Sequence, residues 1–279
     1  MATLEHIPAA EYRARPGINA SSIVAGRLSL RHMQYEMTRT ENPSTPGMRM
    51  GTLGHSAVLE PDDFAGRIDV VEYKRGAAWA DAKDRAGEFA ITGAELSQLM
   101  QISGAVHANQ AAHKLIADTE HEVSVFWDEQ GIGPCKARMD AYAITTGVVD
   151  VKTTQQMERR AFVNVCARLG YHIKMAWYRR AAFALTGQTV PVHLIVIEQG
   201  KPHDTAVYRM RDMDLDLGDR NAIAIASAYA NAERVKLFPG VSPGVSDLAM
   251  PDWLHVEDEN TELPSWVECD EWDESTKED

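Results

Sequence analysis

A chain of 279 residues with 44% hydrophobic side chains is long enough to bury a full core in one large domain. Its net charge of −13 sits at one end, because residues 247–279 carry thirteen acidic residues against one basic, a net of −12 that leaves −1 for residues 1–246. A near-neutral body can still present a basic groove, so nucleic acid is not excluded as a partner, whereas the absence of any apolar run near ~20 residues argues against a membrane span.

In chain order, Pro16-Gly17-Ile18-Asn19-Ala20-Ser21 reads as a loop entering a helix, capped by Asn19 or a serine and running to about Thr40. A proline-containing loop follows at 41–47. Residues 50–61 then predict a short helix stopped at Pro61, whose small residues Gly51, Gly54, Ser56 and Ala57 allow close approach and hold His55 against its neighbour. Residues 77–118, rich in alanine with helical periodicity, predict two or three helices. Strands are expected at 122–127, 135–142 and 148–152, helices at 158–169 and 171–186 around Gly170, strands at 191–197 and 205–211, and a last helix at 219–236. This order predicts an α/β fold, a mixed central β-sheet flanked by helices, with an N-terminal helical region. The division expected is one domain over 1–246, helical over 1–120 with its core at 121–246, followed by an acidic tail at 247–279. In that tail Pro251-Asp252-Trp253 and Pro264-Ser265-Trp266 form an imperfect repeat of an aromatic anchor among acids. The N-terminus lacks a signal-peptide pattern. Cys135, Cys166 and Cys269 form no Cys-x-x-Cys pair, which argues against zinc, an iron–sulfur cluster or a disulfide framework and for a reducing cytoplasm.

The chemistry concentrates in Cys135-Lys136-Ala137-Arg138-Met139-Asp140-Ala141-Tyr142 and Gly147-Val148-Val149-Asp150-Val151-Lys152-Thr153-Thr154. Both alternate with period two, so a tight turn at 145–147 sets Asp140, Asp150 and Lys152 on one face. Two carboxylates held together raise each other's pKa unless a cation lies between them, and a hard divalent ion removes that penalty.

Asp140, then Asp150-x-Lys152 on the next strand, then Tyr171-x-x-Lys174-x-x-x-Tyr178 on the helix beyond resembles the PD-(D/E)XK nuclease superfamily, in its RecB-like branch. The ordered set Gly51-Thr52-Leu53-Gly54-His55, Glu122-x-Ser124-x-x-Trp127, Arg138-Met139-Asp140 and Asp150-Val151-Lys152 is most similar to the exodeoxyribonuclease VIII (RecE-type) exonuclease domain of phages and prophages. The resemblance implies a catalytic trio of Asp140, Asp150 and Lys152, and a metal held by His55, Asp140, Asp150 and the main-chain carbonyl of Val151. Glu122 stands as a further candidate. Tyr171, Lys174 and Tyr178 would line the DNA side with Arg138; Lys174 replaces the family's glutamine. Arg159, Arg160, Arg168, Arg179 and Arg180 are read either as phosphate contacts, Arg159 and Arg160 foremost, or as an ordinary solvated helix face.

Carboxylates suit Mg²⁺, and the histidine makes Mn²⁺ a substitute. The activity implied is a metal-dependent exonuclease resecting the 5′ strand at double-stranded DNA ends during recombination. A single-strand annealing protein as partner and a homo-oligomeric ring follow from the same resemblance. The alternative is a nuclease-fold DNA-end-binding or regulatory protein with weak or no hydrolysis. A Cas4-like enzyme is disfavoured by the missing cysteine cluster.

Overall fold

The computed structural model describes residues 1–39, 45–242 and 244–251; the paired tryptophans Trp253 and Trp266 lie outside the described residues. The N-terminal region holds β1 (Thr3–Glu5), α1 (Ala9–Ala14), α2 (Ala20–Gly26), α3 (Leu30–Thr38), α4 (Pro46–Leu59) and α5 (Pro61–Arg67). It continues through β2 (Asp69–Val71), α6 (Gly76–Ala86), β3 (Ala90–Thr92), α7 (Gly93–Ala108) and α8 (Gln110–Ala117). Then come β4 (Glu120–Glu129), β5 (Gly133–Ala143), β6 (Gly147–Thr154), α9 (Arg159–Leu169), α10 (Tyr171–Thr186), β7 (Val192–Glu198), β8 (Thr205–Arg209) and α11 (Asp212–Val235).

Six strands form one mixed sheet in the order β1-β4-β5-β6-β7-β8, with β6 and β7 parallel and the other neighbours antiparallel. The parallel step needs a crossover, which α9 and α10 supply. One face packs on α2, α3, α10 and α11 through Ile23, Met33, Trp177 and Leu215; the other packs on α4, α7 and α8 through Val58, Ile102, Val106 and Ile116. The α/β architecture is the one that the element order predicts. Gly147 has φ +88°, and a Cβ there would run into the Pro191 carbonyl, so only glycine lets β6 start beside the entry to β7. Gly170, at φ +70°, ends α9 and opens α10 in the left-handed conformation.

Three expectations differ from the structure. The helix expected from Asn19 to about Thr40 is two, because Asn19 and Ser22 form a capping box on α2 while Ser29 accepts from the His32 amide and starts α3 anew. The last helix begins at Asp212 rather than 219. Asp212 and Asp214 favour its N-terminus, and Asp212, Asp216 and Asp219 face arginines of α10. The alanine-rich region also contains a strand, β3, which pairs in parallel with β2 just before that region, both too short to show a period. No helix of the described residues is long and apolar enough to cross a membrane. The chain divides into a unit over Met1–Val241 and a second over Ser242–Asp279, where composition places the boundary after 246.

The helix that carries His55 is clamped at its N-terminal half. Arg49 on α4 donates to Glu95 Oε1 at 2.8 Å, to Glu88 O at 3.0 Å and to the Ala90 carbonyl, while Lys74 reaches the same Glu95 oxygen at 2.6 Å. Burial works to raise the Glu95 carboxyl, but Lys74, the Thr92 amide and Arg49 outweigh it and hold its pKa at about 2. A folded value below the unfolded one means that this stabilisation is present above the ordinary value of 4.5 and is lost as pH falls towards 2. Glu95→Gln should therefore lower the urea midpoint at pH 7 and lose less further stability than the parent between pH 4.5 and pH 2. Equal acid sensitivity in the two proteins would assign the loss to other carboxylates.

Candidate functional site

Strands β5 and β6 are paired only over Ala141↔Val149, Tyr142↔Val148 and Ala143↔Gly147. Beyond that point the Asp140 carboxylate takes the place of a backbone partner, its Oδ2 accepting from the Val151 amide at 2.8 Å. The same oxygen lies 3.3 Å from His55 Nδ1, which α4 delivers from the other side of the strand gap. Glu122 arrives from β4 with φ +52°, a left-handed conformation that costs a non-glycine residue about 1–3 kcal/mol and so needs support. Arg138 provides it, with Nε donating to Glu122 Oε2 at 2.8 Å and an Nη donating to Ile7 O at 2.6 Å and Ser124 Oγ at 3.1 Å.

His55, Glu122 and Asp140 each offer a ligand atom within 4.8 Å of the others. Burial pushes the Glu122 carboxyl up and the Asp140 charge pushes it further, with Arg138 and His55 acting against them. Two carboxylate oxygens and an imidazole nitrogen, electrostatically uncomfortable by themselves, fit a divalent cation. They line a cavity of about 680 Å³ with His6, Thr52, Glu60, Asp63, Arg67 and His121.

Asp150 and Lys152 do not join that group. Asp150 is fully buried; its Oδ2 takes the Lys152 ammonium, while Oδ1 lies 3.5 Å from Lys174 Nζ without a hydrogen bond. Burial alone would raise its pKa, but Lys152 and Lys174 hold it lowered. Lys152 Nζ also donates to the Val151 carbonyl at 3.3 Å and stands 5.2 Å over the Tyr171 ring; burial and then Lys174 lower its pKa against the pull of Asp150. Lys174 lies 5.3 Å over the Tyr178 ring, and although burial opposes its charge, Tyr178, Asp150 and Asp140 raise its pKa well above the ordinary value. Tyr171, Lys174 and Tyr178 thus share one face of α10.

The structure brings together His55, Asp140 and the further candidate Glu122, and sets Asp150, Lys152, Lys174, Tyr171 and Tyr178 beside them. Val151 gives its amide to Asp140 and its carbonyl to Lys152. Arg138 is held internally by Glu122 and Ile7. Arg159 and Arg160 are exposed at the start of α9. Neither reading of Arg179 and Arg180 holds, because Arg179 bonds Asp216 at 2.5 Å and Arg180 bonds Asp219 at 2.6 Å and Glu129 at 3.1 Å, tying α10 to its surroundings. Sequence reasoning missed the segment His6–Ala9 over the cavity, where a three-residue strand leaves no periodic signal.

Residues 29–240 match the family described as a PDDEXK-like domain of unknown function (DUF3799). No curated protein matches. Among solved structures, a protein from Eubacterium rectale described as a candidate exonuclease aligns over 91% of this chain and 99% of its own at 13% identity, with a TM-score of 0.60. That likeness is one of fold. A phage-related exonuclease from Haemophilus somnus 129PT aligns over 79% of this chain and 96% of its own at 9% identity, with a TM-score of 0.35, too low to add to the comparison.

Arg138→Ala should destabilise the fold by about 1–3 kcal/mol, because it strands the half-buried Glu122 carboxylate and the Ile7 carbonyl. Urea unfolding at pH 7 measures it. A loss below about 0.5 kcal/mol, the range of ordinary surface substitutions, would show that Arg138 does not brace Glu122.

Proposed function

The chain belongs to the PDDEXK-like family that its match over residues 29–240 defines, and from that premise we propose that it is a metal-dependent deoxyribonuclease acting at the ends of double-stranded DNA. The observation that carries this reading is the convergence of His55, Glu122 and Asp140 beside the buried Asp150–Lys152 pair. His55, Glu122 and Asp140 would hold the ion, with Mg²⁺ the resident and Mn²⁺ its substitute. Bound there, a divalent ion supplies Lewis-acid activation of water and charge stabilisation at a phosphodiester.

The chain's own residues do the rest. The Val151 amide fixes the Asp140 carboxylate, and Arg138 fixes Glu122, so both present their free oxygens to the cavity. Asp150 and the Val151 carbonyl hold the Lys152 ammonium in one orientation, where it offers its remaining proton to a phosphate oxygen or to the attacking water. The Tyr171 ring lies 5.2 Å from the same ammonium and helps to hold its charge. Arg159 and Arg160, exposed beyond β6, would contact backbone phosphates.

Attack at ends, resection of the 5′ strand, a role in recombination, a cytoplasmic location, an annealing partner and a ring of identical chains rest on the RecE-type resemblance. The name of the Eubacterium rectale protein supports exonuclease action. A second reading, a DNA-end-binding protein with weak hydrolysis, is favoured by one contact: Lys174 sits against Asp150 and adds a charge where it can hold DNA without speeding cleavage.

Digestion of end-labelled linear and closed circular duplex with Mg²⁺, Mn²⁺ or Ca²⁺ separates these readings. We expect loss of the 5′ label from linear DNA with Mg²⁺ or Mn²⁺, with circles intact and Ca²⁺ inactive. Asp140→Ala should abolish cleavage and weaken Mn²⁺ binding, and Lys152→Ala should lower the rate by about 10²–10³-fold with Mn²⁺ binding retained. Retention of ends without cleavage would establish the second reading, and parent-like digestion by both variants would place the active site elsewhere.

A further inference from the structure

Helix α9 presents Arg159, Phe162, Val163, Cys166 and Ala167 to a groove of about 510 Å³. Their spacing of three and four residues makes one helical face. Asp214 and Leu217 of α11 form another wall, and Leu194 of β7 and Tyr208 of the edge strand β8 line the groove from the sheet. The groove borders the candidate active site. His172, also in its lining, follows Tyr171, whose ring lies 5.2 Å from the Lys152 ammonium, and the Lys152 charge acts on the Cys166 thiol. Arg209 and Arg211 on the rim are 61% and 71% exposed. Their partners are Asp212 at 3.4 Å and Asp214 at 2.8 Å, surface pairs that are worth little and leave guanidinium N–H groups for another ligand. Three arginines against one aspartate make the lining basic, in a body over 1–246 whose net charge is −1. The Phe162 and Tyr208 rings stack at 5.8 Å with 22° between their planes; Phe162 is buried and Tyr208 half-buried, so Tyr208 is the open member of the stack.

We propose that the groove between α9, β8 and α11 binds a single strand of DNA, the one that runs on past Lys152 from the phosphate under attack. The inference rests on the nuclease reading above and deepens it, by naming the form of DNA that this side of the site takes. Backbone phosphates meet the exposed guanidiniums of Arg209 and Arg211, and a base lies against Tyr208, extending the ring stack. Val163 and Leu217, exposed aliphatic side chains in the lining, suit the faces of unpaired bases. A cavity of about 510 Å³ walled by two helices seats one strand and not a duplex. Charge and stacking hold a strand whatever its sequence, as degradation along a duplex requires. An acidic peptide would also satisfy the arginines, but the position of the groove beside Lys152 favours DNA.

Fluorescence anisotropy of a labelled oligothymidylate of about 20 nucleotides, titrated with the full chain in EDTA so that nothing is cleaved, tests this at several salt concentrations. Arg209→Gln combined with Arg211→Gln should weaken binding by about 10-fold or more and lower the slope of log affinity against log salt by about 1.4, two phosphate contacts at about 0.7 each. Tyr208→Leu should weaken binding by at least about 5-fold and leave the slope as it is. Matching circular dichroism and thermal midpoints establish that the comparison is made on folded protein. Parent-like affinity and slope in the arginine variant would overturn the proposal. Loss of an acidic, tryptophan-containing probe peptide from that variant, with oligothymidylate binding unchanged, would give the groove to a protein partner and overturn it too. Metal-dependent nucleotide release from linear duplex is measured alongside. Its absence in the parent would sink the nuclease reading, whereas release with strand binding indifferent to the groove variants would sink this inference alone.

Discussion

The single bond from the Val151 amide to Asp140 Oδ2 determines what this site can be. Where β5 and β6 stop pairing, a backbone donor in the sheet interior needs an acceptor, and an unmet one costs about 1–3 kcal/mol. Using a carboxylate for that purpose places a negative charge in the gap and fixes its direction. Everything else in the site answers that charge: His55 from α4, the strained Glu122 with its Arg138 brace from β4, and the lysines gathered round the neighbouring Asp150. Scaffold and chemistry meet at one residue, since a sheet that stayed paired past Val149 would have no opening for a ligand.

Much of this was legible in the sequence, for identifiable reasons. Period-two alternation survives in β4, β5 and β6 because each has one face against α2, α10 and α11, so the strands carrying Asp140, Asp150 and Lys152 could be read from Val and Ala spacing. Gly170 and Pro61 marked helix boundaries through their backbone limits. What the pattern concealed was three-dimensional. Alternation assigns residues to faces only while a strand stays regular, and here Met139 and Ala141, of the same parity, enter opposite cores, with Asp140 at the change. Glu122, with its left-handed backbone, turns towards the site for a reason that no spacing rule encodes. The partners of Arg179 and Arg180 lie on α11 and β4, far apart in the sequence, so spacing along α10 offered only a phosphate-facing or a solvated face and could not show these pairings.

Fold and family membership narrow the chemistry without finishing it. The PDDEXK-like match puts a metal and a lysine in prospect, and the structure shows Asp150 paired with Lys152 and 3.5 Å from Lys174, while Glu122, a weaker candidate in the sequence, stands with His55 and Asp140. Buried carboxylates are tolerated where each has a specific cationic answer, and this site provides a guanidinium for Glu122 and ammoniums for Asp150, beside a group of His55, Glu122 and Asp140 that a divalent ion would fit.

Anomalous diffraction from crystals grown with Mn²⁺ tests the central claim, that Asp140 presents its carboxylate to an ion shared with His55 and Glu122, most directly. The account requires a manganese peak within coordination distance of these three side chains, with Lys152 still on Asp150. A peak held instead by Asp140, Asp150 and the Val151 carbonyl, with Glu122 remote and Lys152 displaced, would contradict it.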